Sequence, residues 1–154
     1  MNDDELRQYR VDFQEDHTII PLPSFMAAGR EKCNNLPDSE KRHPWHHRGD
    51  WMDYWRMMTG NRSNVVACST CGKLIYVDIN ADDIPTRLAR LRGDDMKERQ
   101  AVGGHILVNS GSVFRRGIFI TPQCKECNAK KGEGVSLRIG SVMVREIDPE
   151  IDEE

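Results

Sequence analysis

An α+β fold is the class this sequence predicts, and three observations carry the prediction. Two Cys-x-x-Cys pairs, Cys68/Cys71 and Cys124/Cys127, lie in a chain whose thiols are otherwise limited to Cys33. Short apolar alternations, which suit strands, are interleaved with helix-period segments bounded by caps and glycines. The composition is polar, with 31% charged and 38% hydrophobic residues and a mean hydropathy of -0.66, so the core is modest for 154 residues. A metal staple compensates for such a core, because ligand binding then contributes directly to folding.

The staple is expected to be zinc on Cys68, Cys71, Cys124 and Cys127. Two intervening residues let both sulfurs of a pair reach one tetrahedral ion at about 2.3 Å. The N-terminal Met1-Asn2-Asp3-Asp4-Glu5 is acidic and polar, unlike a secretory signal, and no apolar run has the length of about 18 residues that a membrane span needs. The expected location is therefore the cytoplasm, where thiols stay reduced and paired cysteines favour zinc over disulfides. Cys33 is expected to be a small buried or half-buried side chain.

Residues 1–60 read as a mainly helical or irregular N-terminal extension, 61–145 as the zinc-binding domain, and 146–154 as an acidic tail. Leu6, Tyr9 and Phe13 recur at helical spacing after Asp3 and Asp4, which predicts a helix over 3–15. His17 to Pro23 is extended because of its prolines, and Ser24 is expected to cap a helix running towards Cys33, followed by a loop over 34–39. His43, His46 and His47 lie in a Pro- and Gly-flanked loop and read as solvated. Asp50 caps a helix from Trp51 to Thr59 that Gly60 ends, its aromatic stripe facing the core.

Val65-Val66-Ala67 enters the first cysteine turn and Leu74 to Ile79 leaves it as a second strand, with Gly72 supplying the positive dihedral of the turn. Asp82, Asp83 and Pro85 start a helix with Ile84, Leu88 and Leu91 on one apolar face. A strand over 105–108 pairs with one over 117–120, and Thr121-Pro122 starts a helix carrying Cys124, Cys127 and Asn128. Val135, Leu137 and Ile139, then Val142 and Val144, alternate about Gly140-Ser141 and predict a C-terminal β-hairpin.

A cysteine knuckle, a hairpin, then a helix with the second cysteine pair is the order of a treble-clef (ββα) zinc finger. With His105 opening the hairpin and Cys124-x-x-Cys127-Asn128-x-x-Lys131-Gly132 on the helix, residues 65–132 resemble the four-cysteine branch of the His-Asn-His (HNH) endonucleases. The resemblance implies that His105 is a general base activating water, with Asn128 and a nearby acid holding a second divalent ion, Mg2+, Mn2+ or Ni2+. The chain departs from that pattern at two places. Gly104 stands where the family has an acid, and apolar Ile118 or Phe119 stands where it has its middle Asn. A carboxylate within about 6 Å of the His105 ring on the side facing Asn128, close enough for shared metal chemistry, would raise the nuclease reading to first.

Charge points to a partner. The net charge of -3 conceals a segment, 105–145, in which seven basic residues face two acidic ones, for +5. Arg115, Arg116, Lys125, Lys130 and Lys131 are the candidate phosphate contacts, with DNA favoured over RNA as the nucleic acid. Three functions follow as expectations. They are a zinc-stabilised nucleic-acid binder with an incomplete nuclease motif, an active metal-dependent nuclease using His105 and Asn128, and an adaptor binding protein through Trp45, Trp51, Tyr54 and Trp55. No membrane association is expected.

Overall fold

The computed structural model describes residues 1–16, 24–37, 42–111, 116–130, 132 and 134–147. In chain order the elements are α1 (Asp3–Asp16), β1 (Ser24–Met26), β2 (Cys33–Asn35), α2 (Trp51–Thr59), β3 (Val65–Ala67), β4 (Leu74–Tyr76), α3 (Ile84–Leu91), β5 (Val102–Val108), β6 (Gly117–Gln123), α4 (Lys125–Asn128), β7 (Gly134–Val135) and β8 (Val142–Arg145). Strands form one six-stranded sheet, ordered β1-β8-β6-β5-β2-β7, and a separate β3-β4 pair. The α+β class therefore stands. No helix among the described residues is long and apolar enough to cross a membrane.

The β5-β6 hairpin is the spine of the sheet, pairing Val102 with Gln123 through to Val108 with Gly117. Alternation along these strands divides the core in two. Ile120 and Val144 join Leu6, Tyr9, Phe13, Trp45, Tyr54 and Trp55 in the larger cluster beneath α1 and α2. Ile106, Val108, Phe119 and Met143 point the other way and pack with Ala27, Cys33 and Leu137.

Both long helices form as their caps and periodicity require. In α1 the buried residues are Leu6, Tyr9 and Phe13, and Phe13 meets Trp45 and Tyr54 edge-on at ring distances of 5.5 and 6.0 Å. Helix α2 opens with a reciprocal capping box between Asp50 and Asp53 and stops at Gly60. Its aromatic polar atoms fasten it to β8: Trp55 Nε1 donates to the Val142 carbonyl at 3.0 Å and Tyr54 Oη to that of Arg145 at 2.7 Å. Gly103 in β5 makes this closeness possible, because a Cβ there would lie 2.6 Å from Trp51 Cβ and 2.7 Å from its backbone carbon.

Several expectations are corrected. Ser24–Met26 is a strand, β1, and not the start of a helix, because its backbone pairs with Val142–Val144 of β8. Asn34 and Asn35, expected in a loop, belong to β2 and pair with β5. The C-terminal segment forms no hairpin: β7 pairs with β2, while β8 pairs with β6 and β1. Thr121–Gln123 continue β6, so the cysteine helix begins only at Lys125.

Residues 1–60 thus contribute two strands to the same sheet as β5, β6 and β8. On α3 the predicted apolar face is outward, with Ile84, Leu88 and Leu91 exposed by 71%, 48% and 81%. The helix is held instead by its polar end. Asn64 bonds Asp83 and Thr86, and Ala89 supplies the small buried contact. The extended stretch predicted at 17–23 lies outside the described residues.

Candidate metal centre and its surroundings

The first cysteine pair sits in the turn between β3 and β4. Cys68 N–H donates to the Lys73 carbonyl at 2.8 Å, and Gly72 N–H to that of Cys68 at 2.9 Å. Gly72 has φ +80°, and the Arg138 guanidinium lies where its Cβ would stand, so the turn requires glycine on both counts. The second pair flanks α4: Cys124 is its N-cap and accepts from Cys127 N–H at 3.4 Å.

Folding brings all four sulfurs within 4.8 Å of one another, with Cys71 and Cys124 3.8 Å apart. A tetrahedral ion with bonds of about 2.3 Å requires sulfur separations of about 3.8 Å, so the donors fit a metal such as zinc. Four thiolates fill the tetrahedron and leave no position for water or substrate, the property of a structural site.

Amides are already turned towards the sulfurs. Burial alone would raise the Cys68 thiol, but N–H groups of Cys71, Cys124 and Thr70 outweigh it and bring the pKa down to about 7. Cys127 is pushed up instead, first by burial and then by neighbouring thiols, a conflict that a divalent cation removes. Cys68, Cys124 and Cys127 also border the larger apolar cluster, so the centre is continuous with the core. Cys33 is separate: it is buried in β2, its Sγ donates to the Val135 carbonyl at 3.2 Å, and burial, followed by Glu31, raises its pKa to about 11.

His105 lies in the middle of β5, 2% exposed. Its ring meets Trp51 edge-on at 4.6 Å, and its Nε2 is 4.0 Å from Glu146 Oε1. This carboxylate was expected in a solvated tail; it is buried and gripped by Arg42, whose Nε and Nη2 reach it at 2.8 and 2.7 Å. A carboxylate does stand beside His105, but it is paired with the Arg42 guanidinium, and both the ring and the carboxylate are shielded from water, at 3% and 4% exposure. Residues 148–154 of the expected tail lie outside the described residues.

Asn128, at the end of α4, is half-buried, and its N–H bonds the Cys124 carbonyl at 2.9 Å. Gly104 also has a local cause. Gln123 folds its Oε1 over Gly104 so closely that any Cβ there would require the buried amide to move.

The candidate phosphate contacts fall into two places. Arg116 precedes β6, and Lys125 and Lys130 follow it; a seven-residue strand separates them by about 20 Å. Arg116 and Lys130 are exposed and Lys125 half-buried, while Arg115 and Lys131 lie outside the described residues. Trp45, Tyr54 and Trp55 are buried and Trp51 is half-buried against the same cluster, so the aromatic segment packs mainly into the core. His43, His46 and His47 are exposed, as expected.

Sequence reasoning missed Asn35, Gln123, Arg42 and Glu146. Asn35 was legible only as turn chemistry and Glu146 only as part of an acidic run. Comparison with family models, curated proteins and solved structures returned no match for the chain.

Proposed function

We propose that this chain is a zinc-stapled, HNH-like module of treble-clef order that binds nucleic acid, DNA more than RNA, and does not hydrolyse it. The observation that supports the metal is the convergence of four sulfurs within 4.8 Å. The nucleic-acid reading draws on the +5 segment over 105–145 and on Arg116, Lys125 and Lys130 at the two ends of β6. A separation of about 20 Å would place the two groups on phosphates several nucleotides apart and is too wide for one small anion. Hydrolysis is disfavoured because the general base of the resembled family, His105, is walled in by Trp51 and by a carboxylate committed to Arg42.

Native mass spectrometry is expected to find one zinc per chain, lost in Cys127→Ser together with a sharp fall in Tm; a zinc-free, fully folded wild type would remove the proposal. Binding to a DNA duplex is expected to weaken steeply with salt, by counterion release, and to fall further in a Lys125→Ala, Lys130→Ala variant. No binding at low salt removes the nucleic-acid half. Plasmid nicking with Mg2+, Mn2+ or Ni2+ is expected to be absent, and nicking that disappears in His105→Ala would establish the nuclease instead.

A further inference from the structure

We propose that Asn35, Gln123 and Thr70 form a buried positioning chain that sets the affinity of the four-cysteine centre for its metal by locking its two halves in register. The inference rests on the zinc reading above and extends it to residues that touch no sulfur with their side chains. Asn35 and Gln123 are both 0% exposed. Asn35 Nδ2 donates to the Cys127 carbonyl at 2.9 Å and to the Lys130 carbonyl at 2.8 Å. Its Oδ1 accepts from Gln123 Nε2 at 3.1 Å, and that same amide donates to Thr70 Oγ1 at 3.3 Å.

Each end of this chain lands on or beside a ligand. Thr70 lies between Cys68 and Cys71 and its N–H points to Cys68 Sγ; Gln123 immediately precedes Cys124, whose N–H donates to Cys68 Sγ at 3.3 Å; and Cys127 supplies a carbonyl.

A four-residue helix cannot hold its own shape, because nucleating a helical turn costs more than its few hydrogen bonds return. Its end is closed by a long local bond, the Cys127 carbonyl accepting from Lys130 N–H at 3.4 Å. Asn35 satisfies two carbonyls at and beyond this end from a neighbouring strand, and β2 reinforces the clamp by accepting Gly132 N–H on the Asn35 carbonyl at 2.8 Å. The direction of Cys127 is thus dictated by β2, and that of Cys124 and the Cys68 turn by Gln123. Groups that orient metal ligands without binding the metal characteristically change its affinity by about 10–100-fold when removed.

The test uses the full-length chain, loaded with zinc and titrated with a chromogenic chelator, with Co2+ substitution reporting ligand geometry. Asn35→Ala is expected to weaken zinc binding by about 10–100-fold and to alter the Co2+ spectrum. Should Asn35→Ala fail to fold, the half-buried Thr70 provides a second route. Thr70→Val is expected to speed zinc release by about tenfold, near the lower end of that range, and Thr70→Ser, which keeps the hydroxyl, to restore it.

Tyr54→Phe is the control for stability alone. It removes the bonds of Tyr54 Oη to the Arg145 carbonyl and from Ile147 N–H, and is expected to lower Tm while leaving zinc affinity unchanged. Wild-type zinc affinity in Asn35→Ala or Thr70→Val, or an equal loss in Tyr54→Phe, overturns the inference while the zinc reading survives. A wild type that takes up no zinc overturns both.

Discussion

At the scale of single residues, the most informative position is the glycine before His105. Its neighbour Gln123 shows that Gly104 is a packing requirement: the amide occupies the space a side chain would need. Gly104→Ala is therefore expected to destabilise the zinc-loaded protein by about 1–3 kcal/mol, the cost of overpacking a filled interior. Gln123→Ala is itself destabilising, because it breaks the bonds to Asn35 and Thr70, but the double variant should lose less than the sum of the two single losses, since both changes share one space. Denaturant midpoints of the two single variants and the double variant measure it, and strict additivity would contradict the geometry.

How far the residues could be read in advance follows the same division. Cys-x-x-Cys spacing is local, and so the four clustered cysteines were legible. The roles of Asn35, Gln123 and Glu146 depend on partners about 90 to 100 positions away, and no short-range pattern records such a meeting.

At the scale of elements, caps and turns proved more legible than pairing. Asp50, Asp53 and Gly60 delimit α2 as their chemistry requires, whereas the apolar face of α3 was read from periodicity alone and lies outward. Periodicity says that a face exists, not what covers it. The β1-to-β2 connection supplies a further prediction. Glu31 sits among the N–H groups of Ala28, Gly29 and Arg30. Burial opposes its ionisation, but these amides outweigh burial and hold the carboxyl below its ordinary 4.5.

The sign follows from that direction. A depressed folded-state value means the carboxylate stabilises the connection fully above 4.5 and that this contribution disappears as pH falls through the lower, folded-state value. The three amide resonances should titrate with a midpoint below 4.5 and should cease to titrate together in Glu31→Gln. A midpoint at or above 4.5 would show that the amides do not hold the carboxylate.

At the scale of the whole molecule, the sheet joins residues 1–60 to the strands beside the cysteine cluster. A chain starting at residue 61 retains every cysteine ligand yet lacks β1, β2, α1, α2 and Asn35. It is expected to show no cooperative melting transition and zinc affinity at least tenfold weaker than the full chain, the lower end of what lost orienting contacts cost. Native mass spectrometry and circular dichroism test both expectations. Wild-type affinity in that fragment would mean that residues 61–147 fold around the ion alone.

The strand order also has a consequence in time. Ser24 must find Val144, and Cys33 must find Val108, before the sheet is complete. Such distant pairings make folding slow, because loop closure is opposed by entropy before any contact rewards it. During synthesis the Cys68/Cys71 turn leaves the ribosome long before Cys124 and Cys127, with one of the two cysteine pairs and without the six-stranded sheet to shelter it. On the proposed zinc reading, the yield of native protein should then depend on free zinc at the moment of chain release, and a cell short of the ion would accumulate an exposed, oxidisable intermediate rather than a folded apoprotein.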